Sequence, residues 1–146
     1  MTESFFSRAI VPIANRDDTA AMATTLRSYF AMDSTVIAVH VIEKVGGAPD
    51  KASVEQREQR AAGIFSTITE RFDDSGVALE TDLRYGIDVA SSIVSGAHDR
   101  STSAIVFTLR GGSRWRKPVT GDVTHPLVRS SDIPILVLPD REESEV

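Results

Sequence analysis

The stretch Thr108-Leu109-Arg110-Gly111-Gly112, running on to Thr120-Gly121-Asp122-Val123-Thr124, gathers the residue types that an anion site needs. Glycine lets backbone approach a ligand, and free N–H groups at a helix start attract negative charge. An apolar run, Ala104-Ile105-Val106-Phe107, precedes it, and a segment of helical character, Asp122 to Arg129, follows. Arg110, Arg114, Arg116 and Lys117 lie within it, in a chain whose formal net charge is −5. Guanidinium groups pair well with phosphate, so these cations suggest an anion clamp. A solvated loop accounts for them equally well. Trp115 in the same stretch reads as a packing or interface residue.

Other chemistries find little support. The chain has no cysteine, which removes thiolate nucleophiles and disulfides. His40, His98 and His125 are too scattered to match a metal-ligand spacing. No Gly-x-Ser-x-Gly elbow and no Gly-Lys-Ser/Thr phosphate loop occurs. A phosphorelay receiver would need a lysine ending its last strand, where this chain has Leu138-Pro139-Asp140. The expectation is a binding protein rather than an enzyme. Acidic balance argues against nonspecific nucleic-acid binding. No apolar run approaches a membrane span, and Met1-Thr2-Glu3-Ser4 lacks a basic region ahead of an apolar one, which predicts a cytoplasmic protein without membrane insertion.

The elements that must position such a site alternate between strand and helix. Ala9–Ile13 reads as a buried strand with Pro12 at its exit, since proline cannot donate to a ladder. Asp17 and Asp18 then open a helix with Met22, Leu26, Tyr29 and Phe30 on one face. Ser34–Val41 is a continuously apolar strand, as expected in a parallel sheet covered on both sides; His40 within it reads as a hydrogen-bonded core residue. After a Gly46-Gly47-Pro49 loop, Ser53 and Gln56 resemble a capping box for a helix running through Arg71, ended by Asp73-Asp74-Ser75-Gly76. Val77–Leu83 alternates and so belongs at a sheet edge. Tyr85-Gly86 forms a turn before a helix with Ile87, Ala90, Ile93, Val94 and Ala97 on its apolar side, where His98 lies on the surface, as does His125 on the last helix. The glycine stretch and last helix follow, then an apolar strand, Ile133–Leu138.

This alternation predicts a three-layer α/β/α fold around a parallel sheet, as one domain over residues 1–146 with 140–146 as a loose charged tail. Ligands bind such sheets at the carboxyl ends of strands where strand order reverses. The candidate rim is therefore the exits of the first and fourth strands, Ile13-Ala14-Asn15 and Thr108 to Gly111, with Gly121 beside them.

These residues, in this order, resemble the universal stress protein (UspA-like) family over nearly the whole chain. The resemblance implies a five-stranded parallel sheet of order 3-2-1-4-5, of the adenine nucleotide alpha hydrolase-like type. Nucleotide-binding members carry Gly, two residues, Gly, nine residues, then Gly and Ser or Thr. Aligning Gly121 with the third glycine puts the second at Gly111, the first at Thr108 and the Ser/Thr position at Asp122. Val123-Thr124, Val39-His40-Val41-Ile42-Glu43 and the Ile-Pro-Ile-Leu-Val of the last strand also follow the family pattern. The family's first strand exits with an aspartate that holds the ribose and base end; here that position is Ala14.

The resemblance therefore implies a nucleotide site, for ATP or AMP, built from Pro12, Ile13, Ala14, Val41, Thr108, Arg110, Gly111, Gly121, Asp122, Val123 and Thr124. Arg114, Arg116 and Lys117 add anion contacts. The pocket is an altered one. A carboxylate at Asp122 about 4 Å from a phosphate would cost about 4 kcal/mol at an effective dielectric near 20, or roughly three decades of affinity. The arginines could offset it, or Asp122 could turn away and cap the last helix.

Two function classes follow from this. One is a stress-response regulatory domain that senses a nucleotide without rapid turnover. The other is an interaction module acting on a partner such as a transporter or signalling protein. In the family's strand order Ile133, Ile135, Leu136, Val137 and Leu138 lie on an edge strand, and a long apolar edge invites pairing with a second copy, so a homodimer is expected.

Overall fold

The computed structural model describes residues 6–30, 33–43, 51–108 and 124–139. Five strands, β1 (Arg8–Pro12), β2 (Thr35–Glu43), β3 (Ala78–Gly86), β4 (Ala104–Thr108) and β5 (Ile135–Leu138), alternate with four helices, α1 (Arg16–Tyr29), α2 (Lys51–Phe72), α3 (Val89–Asp99) and α4 (Thr124–Ser130). The strands are all parallel and lie in the order β3-β2-β1-β4-β5. Strand order reverses at β1, as the sequence predicts.

Side-chain alternation divides the core into two layers. Ala9, Val11, Val36 and Ala38 point to one face, where they pack with Met22 and Leu26 of α1, its C-cap Phe30, and Ile64, Ile68 and Phe72 of α2. Ile10, Ile37, Val39, Ile105 and Phe107 point to the other, against Ala90, Ile93 and Ala97 of α3 and Leu127 of α4. Strands apolar on both faces are the reason the central sheet reads as continuous hydrophobic runs. β3 lies at an edge, as its alternation predicts, and its Glu80, Asp82 and Arg84 form ion pairs with Arg8, Arg100 and Asp99.

Several boundaries differ from the sequence reading. Tyr85 and Gly86 belong to β3 rather than to a turn, because β2 runs on to Glu43 and supplies partners: Ile42 pairs with Tyr85 and Glu43 with Gly86. Ile87 is not on the apolar side of α3. That helix starts only at Val89 behind an Asp88 N-cap, and Ile87 stands 80% exposed in the connection. Ser53 is no N-cap, since α2 is already helical at Lys51. α1 is capped by Asn15, whose side chain accepts from the Asp18 N–H, with Asp17 and Asp18 in the first turn. β5 begins at Ile135 rather than Ile133. Pro134 has no N–H, and Ile133 is held in a tight turn in which its own N–H and carbonyl both bond the Ser131 hydroxyl, at 2.9 and 2.8 Å. The predicted terminators Asp74 and Gly76 both take positive φ, 64° and 84°, which closes the link from α2 to β3.

The sheet has a step at its carboxyl end. β1 pairs with β2 through Pro12↔Val39, and one further bond joins the Ile13 N–H to the Val39 carbonyl at 2.9 Å. Among the described residues, β2 then continues from His40 to Glu43 with only β3, residues Leu83 to Gly86, as its ladder partner. This overhang makes one wall of the site.

Candidate functional site

A cleft of about 420 Å³ opens where β1 stops and β2 continues. Pro12, Ile13 and Ala14 form its floor, and Val39, His40, Val41 and Glu43 of the overhang form one wall. Ile87, Asp88, Val89, Ala90 and Ile93, at the entry to α3, face it, and Pro126 of α4 closes a side. The location follows from connectivity: the chain leaves β1 toward α1 on one face and enters β4 from α3 on the other, so a crevice opens between them.

Its walls are largely apolar, which suits a flat heterocycle, with few polar groups to orient it. The polar residues in the lining are His40, Glu43 and Asp88. Asp88 Oδ2 accepts a bond from the Ser91 hydroxyl at 2.8 Å, and the Asp88 carbonyl accepts from Ser92 at 3.0 Å, which fixes the start of α3. His40 is half-buried. Its Nδ1 lies 2.8 Å from the Ile13 carbonyl, and its ring meets Phe65 edge-on at a centroid distance of 6.5 Å. A carbonyl only accepts, so Nδ1 carries the proton and the imidazole ties the β1 exit to the overhang. The expected hydrogen bond of His40 is thus present, at the edge of a cleft rather than deep in the core.

A second cavity of about 200 Å³ lies on the α2 side of the same strand ends. It shares Ala14, His40, Val41 and Glu43 with the first and adds Ile42 and the α2 residues Arg57 and Arg60. Arg57 is anchored by a 2.8 Å bond from its guanidinium to the Glu43 carbonyl.

Of the predicted nucleotide residues, the structure brings Pro12, Ile13, Ala14 and Val41 into the cleft. Thr108, buried at 3% exposure, ends β4 at the same end of the parallel sheet. Thr124 begins α4, two residues before the cleft-lining Pro126. Arg110, Gly111, Gly121, Asp122, Val123, Arg114, Arg116 and Lys117 lie outside the described residues, as do Trp115 and the tail 140–146. Of the predicted dimer residues, Ile133 and Ile135 pack on the α3–α4 core, Leu136 packs on the α1–α2 core and Leu138 is buried there. Val137, 38% exposed, is the most open of these residues.

Sequence reasoning missed Glu43, Asp88, Ala90, Ile93, Arg57, Arg60 and Pro126 as lining residues. Glu43 and Asp88 close strand and helix boundaries, and their place at the rim became visible only once β2 proved longer than predicted. Arg57 and Arg60 look like the polar face of an amphipathic helix. His98, exposed on α3 as expected, pairs with Asp132 at 2.8 Å, away from the cleft lining. Among the described residues no helix is long and apolar enough to cross a membrane.

Comparison with known proteins agrees with the architecture. The family model described as the universal stress protein family matches residues 6–139. No curated protein sequence matches the chain. Among solved structures, a universal stress protein family member from Burkholderia pseudomallei superposes with a TM-score of 0.67 at 20% identity, covering 94% of this chain and 99% of that one. The universal stress protein from Archaeoglobus fulgidus in complex with dAMP gives 0.58 at 19% identity, covering 92% and 99%. An Arabidopsis thaliana family protein with AMP bound gives 0.62 at 13% identity, covering 96% and 95%. At these identities the likeness is one of fold.

Proposed function

The chain belongs to the universal stress protein family, and from that premise we propose that it is a homodimeric stress-response regulator that binds an adenine nucleotide in the cleft at the β1 and β2 exits. The observation that carries this reading is the cleft itself, apolar-walled and about 420 Å³, formed where strand order reverses and lined by Pro12, Ile13, Ala14 and Val41. Similar folds have been solved with dAMP and AMP bound. In this reading the heterocycle lies between Val41 and the start of α3. The 5′-phosphate points toward the segment joining Thr108 to Thr124, whose arginines and glycines would meet it. Ala14 supplies no carboxylate, so Glu43 and Asp88 are the lining acids available to ribose hydroxyls or a base amino group. In this reading the protein senses the ligand without turning it over rapidly.

The test is thermal unfolding with and without millimolar AMP or ATP, with magnesium present and absent. A ligand held only by the folded state at 100 times its Kd adds about 2.7 kcal/mol of stability. Mass spectrometry of small molecules released by denaturation gives the complementary measurement. No melting shift and no released nucleotide would defeat the nucleotide reading and favour a dimeric interaction module acting on another protein.

Dimerisation is assigned to the β5 edge, which carries a ladder partner on the β4 side. Val137→Glu is the cleaner probe, because Leu136 also packs on the core and a charge there would mix folding with association. Light scattering should report a dimer that Val137→Glu converts to a monomer. A monomeric native protein at micromolar concentration removes the assignment.

A further inference from the structure

The cavity on the α2 side has a composition that the nucleotide cleft does not use. Arg57 and Arg60 project from successive positions on one face of α2, i and i+3, so both guanidinium-bearing chains line the same small space. Neither makes an ion pair with a carboxylate among the described residues. By contrast, Arg8, Arg84 and Arg100 on the sheet's other face are all paired with acids. In a chain of net charge −5, two guanidiniums that line one cavity with no acidic partner among the described residues offer an anion its counter-charge. The opposing charge is Glu43, whose side chain falls by strand alternation on the α3 side while its carbonyl anchors Arg57. His40 completes the lining as an imidazole whose Nδ1–H is already committed to Ile13, and Ala14 contributes a methyl group where any acid would repel an anion.

The volume, about 200 Å³, holds one phosphoryl group with its water, and the four lining residues shared with the larger cleft put it within reach of a ligand lodged there. The same trade of a carboxylate for a nearby arginine lets dinucleotide sites accept a ribose phosphate in place of a ribose hydroxyl. Resting on the nucleotide reading above, we infer that the Arg57–Arg60 cavity is a second phosphate subsite, which makes the preferred ligand a nucleotide phosphorylated on its ribose as well as at the 5′ position.

Isothermal titration calorimetry with AMP, adenosine 2′,5′-bisphosphate and adenosine 3′,5′-bisphosphate tests this. The expected result is that one bisphosphate binds the native protein about tenfold or more tighter than AMP, the gain of charge-assisted bonds to two guanidiniums. The ratio of the two affinities should fall severalfold in Arg60→Gln, collapse toward one in Arg57→Gln/Arg60→Gln, and invert in Ala14→Asp. Because the readout is a ratio within each variant, a general loss of stability cancels. AMP binding with a ratio near one in the native protein overturns the inference while leaving the nucleotide reading intact. A preference that survives in the double variant also overturns it. Failure of all three ligands to bind refutes both.

Discussion

Replacing His40 with alanine tests whether the imidazole fastens the two strand ends that frame the cleft. Two interactions disappear: the 2.8 Å bond from Nδ1–H to the Ile13 carbonyl, and the edge contact with Phe65 at 6.5 Å. A hydrogen bond of this kind contributes about 1 kcal/mol net, and the Ile13 carbonyl, next to an open cleft, can recover a water partner. The aromatic contact adds roughly another 1 kcal/mol. The sum of about 2 kcal/mol corresponds to a melting point lower by roughly 8 °C at about 4 °C per kcal/mol for a chain of this size. Differential scanning calorimetry of the ligand-free protein measures it. Comparison with Phe65→Leu and the double variant isolates the ring contact, and the two single losses should add to more than the double loss. A His40→Ala protein that melts within about 2 °C of the native one would refute the tether.

Three further outcomes are expected. Asp82, 8% exposed, accepts from Arg84 at 2.9 Å and lies 3.4 Å from Arg100, so Asp82→Ala should cost about 2 kcal/mol in urea unfolding; the value sits below the usual range because Arg84 keeps Asp99 and Arg100 keeps Glu80. Unchanged unfolding would mean that the network is solvated in solution. The hydrogen bond from Tyr85 to Glu58 holds the phenol above its ordinary 10.0, so its stabilising effect is complete below that pH and disappears as pH rises through the higher folded value; Glu58→Gln should lower the near-ultraviolet titration midpoint, and an unmoved midpoint would count against the bond. The hydrogen bond from His98 holds the Asp132 carboxyl below its ordinary 3.8, so that contribution is full above 3.8 and is lost as pH falls through the lower folded value. The stability gap between native protein and His98→Gln should therefore close in strong acid, and a gap that persists there would point to a different origin.

The architecture was legible in the chain because each strand carries its own pattern. Val36-Ile37-Ala38-Val39 is apolar without a break and is buried on both faces, while Leu79, Thr81 and Leu83 alternate with polar residues and lie at an edge. Boundaries failed where a tertiary partner overruled local composition. Gly86 reads as a turn residue, yet Glu43 of the adjacent strand draws it into the ladder. Ile87 fits a helical stripe, yet the helix starts two residues later and leaves it in solvent. The floor of the cleft was legible, since Pro12 and Ala14 mark the exit of a central strand. The rest was not, because Asp88, Arg57 and Pro126 come from segments far apart in sequence, and only the packing of α2, α3 and α4 against the sheet gathers them. The notable departures from the family pattern, Ala14, Thr108 and Asp122, were visible at once as residue identities, and Ala14 proves to border both cavities.

The step at the carboxyl end of the sheet leaves His40 to Glu43 as a cantilever, its ladder supplied among the described residues by β3, with Arg57 bonding the Glu43 carbonyl at its tip. A beam held along one side frays more readily than the five-strand body it springs from, and its amides should exchange with solvent sooner. Any molecule that settles against this beam becomes its missing neighbour. A molecule lodged in the cleft would therefore tighten this stretch, and slower exchange of its amides would report it.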